Sequence, residues 1–237
     1  MLLWFISAFC AFFVKGVCGF ANTLVFTSML SFGTANIEIT PVDLLLGYPP
    51  NLIIMLRGRK RLQWKVILPL IALILTGDAA GALLLKNVNV GGVRLLFGAA
   101  VIAVAIEMLT REFRPKAKGS PILLALIGLL SGVMSGLFGV AALMVAYVTR
   151  MTEDSEAMKA NISAVFAADN TFRLILYLFL GIITLSSLKT AALLLPAALL
   201  GLFCGVKLSG RLPERFIKRL VFLVLLFSGI MLILKNV

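Results

Sequence analysis

The stretch Leu2–Phe32, LLWFISAFCAFFVKGVCGFANTLVFTSMLSF, is 31 residues long and apolar almost throughout, yet Lys15 and the glycine pair Gly16 and Gly19 lie near its middle. A straight helix of that length would span about 46 Å, well beyond a hydrocarbon core of about 30 Å. The stretch is therefore either one long tilted helix or a hairpin of two half-helices that enters and leaves on the same side. The choice matters for the whole chain, because a second run, Pro121–Val148, is broken in the same way by Gly136 and Gly139.

The surroundings of these two runs exclude a soluble domain. Of 237 residues, 61% are hydrophobic and 14% charged, and the mean hydropathy is +1.10. A globular chain is about 45–50% apolar and about 25% charged. Further apolar runs follow at Pro41–Leu56, Val66–Leu85, Val93–Leu109, Ala160–Leu180, Leu185–Val206 and Phe216–Leu234. They are continuous rather than alternating, which points to helices and not to a membrane barrel. The net charge of +12 comes from short basic gaps such as Arg57–Arg61 and Arg111–Lys118. Such gaps set membrane orientation, and nucleic acid is not an expected partner. No basic residue precedes the first run, so no cleaved leader is expected. Cys10, Cys18 and Cys204 lack paired spacing and read as buried small hydrophobes. Without histidine there is no obvious metal site, and no cofactor is expected.

Orientation decides between the two readings of the broken runs. If all eight runs cross, the two sides receive eleven and nine basic residues, which is no bias. If the two broken runs are re-entrant, the gaps 57–65, 111–118, 150–159 and 207–219 share a side, and the count becomes sixteen against four. The positive-inside rule favours the second arrangement. It gives an all-α membrane protein with two re-entrant hairpins, six crossing helices and both termini outside.

The two halves also match in order. Gly16 and Gly19 answer Gly136 and Gly139 at an offset of 120, and Asn51 answers Asn170 at 119. Gly77 and Gly81 answer Gly201 and Gly205 at 124, where Arg94 meets Lys218. We read a first membrane repeat at 1–110, a basic cytoplasmic linker at 111–120 and a second repeat at 121–237. Three crossings per repeat is an odd number, so the repeats are inverted. Inverted repeats with interrupted helices are a transporter design with the site where the breaks meet.

Each break should start a half-helix inside the membrane, at Phe20-Ala21-Asn22-Thr23 and at Val140-Ala141. Its first N–H groups carry the positive end of the helix dipole and suit a small anion. Gly16, Gly19, Gly136 and Gly139 would allow close approach of backbone, and Asn22 and Thr23 would add side-chain donors. Asn51, after an expected helix break at Pro49-Pro50, and Asn170 would line the cavity. Charges within apolar runs are costly unless paired or facing water. Lys15, Asp78, Asp169 and Arg173 are therefore candidates. Asp169 and Arg173 are spaced to pair on one helix face. Asp78, between Gly77 and Gly81, has no sequence-local partner and is the expected proton carrier.

The segments Lys15-Gly-Val-Cys-Gly-Phe-Ala-Asn-Thr and Ser135-Gly-Leu-Phe-Gly-Val-Ala, the duplicated halves and the basic Arg57–Arg61 gap resemble the TauE/SafE family of sulfite exporters. The resemblance covers essentially the whole chain. It implies a bacterial inner-membrane permease for sulfite, sulfonates or related anions, with segments 16–23 and 136–142 on the substrate path. Where that family often carries runs of glycine followed by proline, this chain has Phe20-Ala21-Asn22 and Val140-Ala141-Ala142.

The expected function is secondary transport of a small anion, a sulfur oxyanion or an organosulfonate, outward and coupled to protons. The partners are then the anion, protons and the lipid bilayer, and a homodimer is compatible with such a chain. An importer or channel for another small anion is the alternative within transport. A non-transporting anchor or assembly subunit is the rival class, and it would need none of the intramembrane charges. No nucleophile–base motif suggests an enzyme.

Overall fold

The computed structural model describes residues 1–30, 34, 36–84, 121–138, 141–152 and 154–213, with single positions within 99–106 and 216–234. Every element among these residues is helical. In chain order they are α1 (Leu2–Cys18), α2 (Asn22–Leu30), α3 (Asn36–Arg57), a 3₁₀ turn (Arg59–Arg61), α4 (Trp64–Leu84), α5 (Pro121–Phe138), α6 (Ala142–Met151), α7 (Ser155–Phe179) and α8 (Leu185–Ser209). Four segments among the described residues are long and apolar enough to cross a bilayer: Glu38–Arg57, Trp64–Gly81, Ser155–Phe179 and Leu185–Ser209. The linker at 111–120 and the break residues Gly139 and Val140 fall outside the described residues, as do most of the run at 93–109 and about half of the run at 216–234. Large apolar side chains face outward, Phe179 at 86% and Phe203 at 66% exposure. Lipid is the solvent that tolerates this. Cys204 shares that outer surface of α8 and is exposed, contrary to the expectation that all three cysteines are buried.

The first broken run is broken where its glycines stand. α1 has 17 residues, about 25 Å of helix, short of the hydrocarbon core. Gly19 ends it at φ 88°, and the Gly19 N–H closes back on the Lys15 carbonyl at 2.6 Å. This left-handed cap is cheap only for glycine. Two residues later Ala21 also takes a positive φ, 78°. After this turn α2 folds back along α1. Phe26 of α2 meets the Trp4 ring edge-on at 5.8 Å, although Trp4 lies near the opposite end of α1 from the break. The second run divides into helices of 18 and 10 residues, with Ala141 preceding the first turn of α6.

Other boundaries follow local chemistry. Thr184 and Ser187 form a reciprocal capping box at the start of α8, and the Asp154 carboxylate accepts from the Ala157 N–H at the start of α7. The expected break at Pro49-Pro50 is absent: α3 runs unbroken through Pro41, Pro49 and Pro50. Proline removes a backbone bond at each site, but neighbouring helices hold the segment in helical form, as they can inside a membrane.

The chain divides into two compact units, Met1–Leu62 with Lys159–Pro213, and Gln63–Met158 with Glu214–Val237. In the first, α1 crosses α8 at closest approach. A Cβ on Gly16 would lie 2.5 Å from the Leu202 carbonyl oxygen and 2.7 Å from the Val206 nitrogen. Around this crossing Phe12, Phe26, Leu46 and Leu194 form an apolar core. In the second unit, α4 crosses α5 in the same way, with Gly77 and Gly81 against Leu129 and Val133. Gly201 and Gly205 meet Phe9 and Phe13 in the first unit. Phe9 and Leu129, and likewise Phe13 and Val133, stand 120 residues apart.

Candidate functional site

The break between α1 and α2 carries a buried polar cluster. Lys15 sits in the last turn of α1 and is completely buried. Its Nζ donates to Asn22 Oδ1 at 2.8 Å and to Asn51 Oδ1 at 2.7 Å. The positive-φ turn at Gly19 and Ala21 makes this possible, because it brings the first turn of α2 back beside the last turn of α1. Asn51 arrives from α3. An ammonium has three N–H donors, and the third has no partner among the described residues. With Oδ1 turned to Lys15, the Asn51 amide nitrogen points away from it and is likewise open among the described residues.

The same cluster contains a carboxylate, Asp43 of α3, which is 5% exposed. Asn22 Nδ2 donates to Asp43 Oδ1 at 2.9 Å, and the Thr23 hydroxyl donates to Asp43 Oδ2. Asn22 thus bridges cation and anion, accepting from Lys15 and donating to Asp43. Gly47 leaves the room for it: a Cβ there would lie 2.9 Å from Asn22 Nδ2. The buried Arg173 of α7 also acts on the Asp43 carboxylate through space. Its guanidinium donates to the Tyr177 hydroxyl at 2.9 Å, one turn further along α7. Tyr48 and Thr171 hydrogen-bond between α3 and α7 at 2.9 Å. Asp169 and Asn170 are buried on α7 in the same unit.

A second lysine lies at the break. The stem of Lys159 rests where a side chain on Gly19 would go, with its Cγ 2.5 Å from an ideal Cβ, and its ammonium donates to the Ser209 hydroxyl. Gly16 faces α8, so its lack of a side chain serves helix packing. Phe20 and Ala21 are buried in the break. In the second unit, Gly136 is buried on α5 and Ala141 leads into α6. Asp78 is fully buried on α4, its backbone nitrogen 2.9 Å from an ideal Cβ on Gly132.

An open cavity of about 520 Å³ lies at the N-terminal ends of α1 and α3, lined by Trp4, Glu38, Pro41, Val42, Ile182 and Ser187 among others. Along α1 the order is Trp4 at the cavity, Phe12 in the apolar core and Lys15 in the polar cluster. Along α3 it is Val42, Leu46 and Asn51.

Of the expected site residues, Lys15, Asn22, Thr23 and Asn51 are brought together. Asp43, Gly47 and Lys159 join them without having been expected. Asp43 lies two positions inside an apolar run, and the rule that flagged Asp78 applies to it equally. Gly47 and Lys159 carry no comparable signal, since their roles depend on which helix packs on which.

A family model for the sulfite exporter TauE/SafE matches residues 4–232. The chain belongs to this family. It is a multi-pass membrane protein of a transporter family, and a small anion and the lipid bilayer are its partners by membership. The glycine-broken segments that carry the resemblance lie within the match. No curated protein and no solved structure matches the chain significantly.

Proposed function

We propose that this TauE/SafE member is a secondary transporter of the bacterial inner membrane that exports a small sulfur oxyanion or organosulfonate, and that the anion binds at Lys15. The observation that carries the site is the fully buried ammonium, one of whose N–H groups has no partner among the described residues, with the Asn51 amide also open among them. A buried cation is expensive unless its donors are used, and an oxyanion supplies the missing acceptor.

Inverted repeats remain our reading of the architecture. It is supported by the matching glycine crossings of α1 with α8 and of α4 with α5, and by two runs that each break into a long and a short helix. The hairpin of α1 and α2 supports re-entry from one side. The test is flux in proteoliposomes. Sulfite, methanesulfonate and sulfoacetate are offered to wild type and to Lys15→Gln. A charge-assisted hydrogen bond is worth about 1.5–3 kcal/mol, so affinity should fall about tenfold or more in the variant. Equal flux in both would remove Lys15 from the path. An absence of flux of any anion by wild type would favour the assembly-subunit reading.

A further inference from the structure

We infer that Asp43 is the coupling carboxylate of this transporter: a tethered anion that occupies part of the substrate's donor set and yields it on taking up a proton. The inference rests on the anion site proposed at Lys15. It comes from how the donors are shared. Asn22 joins the two charges, one side of its amide on Lys15 and the other on Asp43. The Asn22 amide and the Thr23 hydroxyl, both in the first turn of α2, are spent on the two Asp43 oxygens. Asn22 touches Lys15 directly and Thr23 follows it in sequence, so an oxyanion bound at Lys15 would compete for these donors.

With Asp43 ionised, the site already holds an anion beside its cation, and a second one must enter against it. A neutral Asp43 acid has one oxygen that no longer demands a donor and an O–H that can itself donate. The charge of Lys15 is then free to act on the substrate. The balance is simple: one proton binds the Asp43 carboxylate as one monovalent anion binds the ammonium side, and the net charge of the site does not change.

The groups facing Asp43 fit this role. Lys15 acts on it from α1, Asn22 and Thr23 from α2, and Arg173 from α7. α8 presents Ala191, Leu194 and Ala198 to the Val42 and Leu46 neighbourhood of α3. Only a carboxylate in direct contact with the anion's donors can sense whether the site is filled. Asp169 lies one turn before Arg173 on α7, and Asp78 lies on α4 in the other compact unit.

The experiment uses the full chain in nanodiscs with methanesulfonate and sulfate as probes, since neither changes protonation between about pH 5.5 and about pH 8.5. Binding affinity is measured across that range, and proton uptake on binding is read in weakly buffered solution. In wild type, methanesulfonate binding should take up close to one proton, and its affinity should fall toward about tenfold per pH unit on the alkaline side. Asp43→Asn should bind with a flat profile and no proton uptake. Asp43→Glu should restore the slope, and Asp78→Asn should leave it as in wild type. The same slope in Asp43→Asn, or a slope lost in Asp78→Asn alone, would overturn the assignment while leaving the anion site standing. Binding by wild type without proton uptake overturns it even if Asp43→Asn does not fold. An absence of binding by wild type at any pH defeats the anion site itself.

Discussion

Deleting the Lys15 charge alone should destabilise the protein at least as much as deleting the Lys15 and Asp43 charges together. Lys15→Met keeps the apolar stem and removes the ammonium. Two hydrogen bonds go, at 2.8 and 2.7 Å, and the Asn22 and Asn51 oxygens lose their donor in a fully buried place. Asp43 is left without its nearer cation. Each hydrogen bond from a charged donor is worth about 1.5–3 kcal/mol. Arg173 still acts on Asp43, which places the loss toward the lower end, about 3 kcal/mol. For a chain of this size that is about 10 °C in melting temperature. Asp43→Asn leaves Lys15 without its carboxylate and should cost a similar amount.

The double variant Lys15→Met/Asp43→Asn removes both charges at once. It should recover at least half of the summed loss, because neither partner then remains buried and uncompensated. Thermal unfolding of the four proteins in one detergent, followed by tryptophan fluorescence, closes the cycle. A Lys15→Met shift below about 2 °C, or a double variant as unstable as the two single losses added, would refute the reasoning. The first result would mean that Lys15 is not held by the cluster, and the second that Lys15 and Asp43 are energetically independent.

Ala21→Gly should stabilise the chain by about 1 kcal/mol, because Ala21 sits at φ 78° where only glycine is unstrained; a fall in melting temperature would contradict that turn. Gly205→Val and Gly132→Val should each prevent recovery of monodisperse protein, since a side chain there runs into the backbone of Phe13 or Ile74, whereas Gly181→Ala, with open space around it, should cost only about 1 kcal/mol for its positive φ. Single cysteines at positions 60, 153 and 211 in a cysteine-free background should be labelled from the cytoplasmic face, and those at 36 and 187 from the opposite face; labelling of 60 and 153 from opposite faces would restore eight crossings.

What the sequence revealed and what it hid follow from the range of the forces involved. The break at Gly16–Gly19 was readable because a 31-residue apolar run cannot fit a bilayer as one helix, and because glycine is the residue that ends a helix at positive φ. Lys15 and Asn22 were readable because a cation or an amide inside such a run needs a reason. The continuity of α3 through Pro49-Pro50 was not, since proline's local penalty is overcome by packing that no window of sequence contains. Gly16 was singled out for the wrong contact in particular: its neighbour is α8, almost two hundred residues along the chain, and the requirement there is close helix approach. Asp43 stands two positions inside its run, so the cost of an intramembrane charge marks it, but not its partners. Only the folding of α2 back onto α1 shows that its partners are Asn22 and Thr23.

If the chain is the repeat we propose, its two halves keep the glycine crossings but not the polar residues, and this bears on how many anions one chain handles. On the proposed repeat, Lys15, Asn22 and Thr23 correspond to Ser135, Ala142 and Leu143 at the offset of 120, and Asp43 corresponds to Ile162 at 119. Only Asn51 keeps its identity, as Asn170. The glycine crossings, by contrast, are kept in both halves, because helix packing in a membrane depends on small residues wherever two backbones approach. Packing constrains both copies equally, while a buried charge is costly in each copy that carries it. A second Lys–Asn–Asp cluster would double that cost. A single cluster built around one break is enough to bind one anion and exchange one proton, and the other break is left to supply backbone. The asymmetry therefore argues for one anion site per chain, placed at the break between α1 and α2.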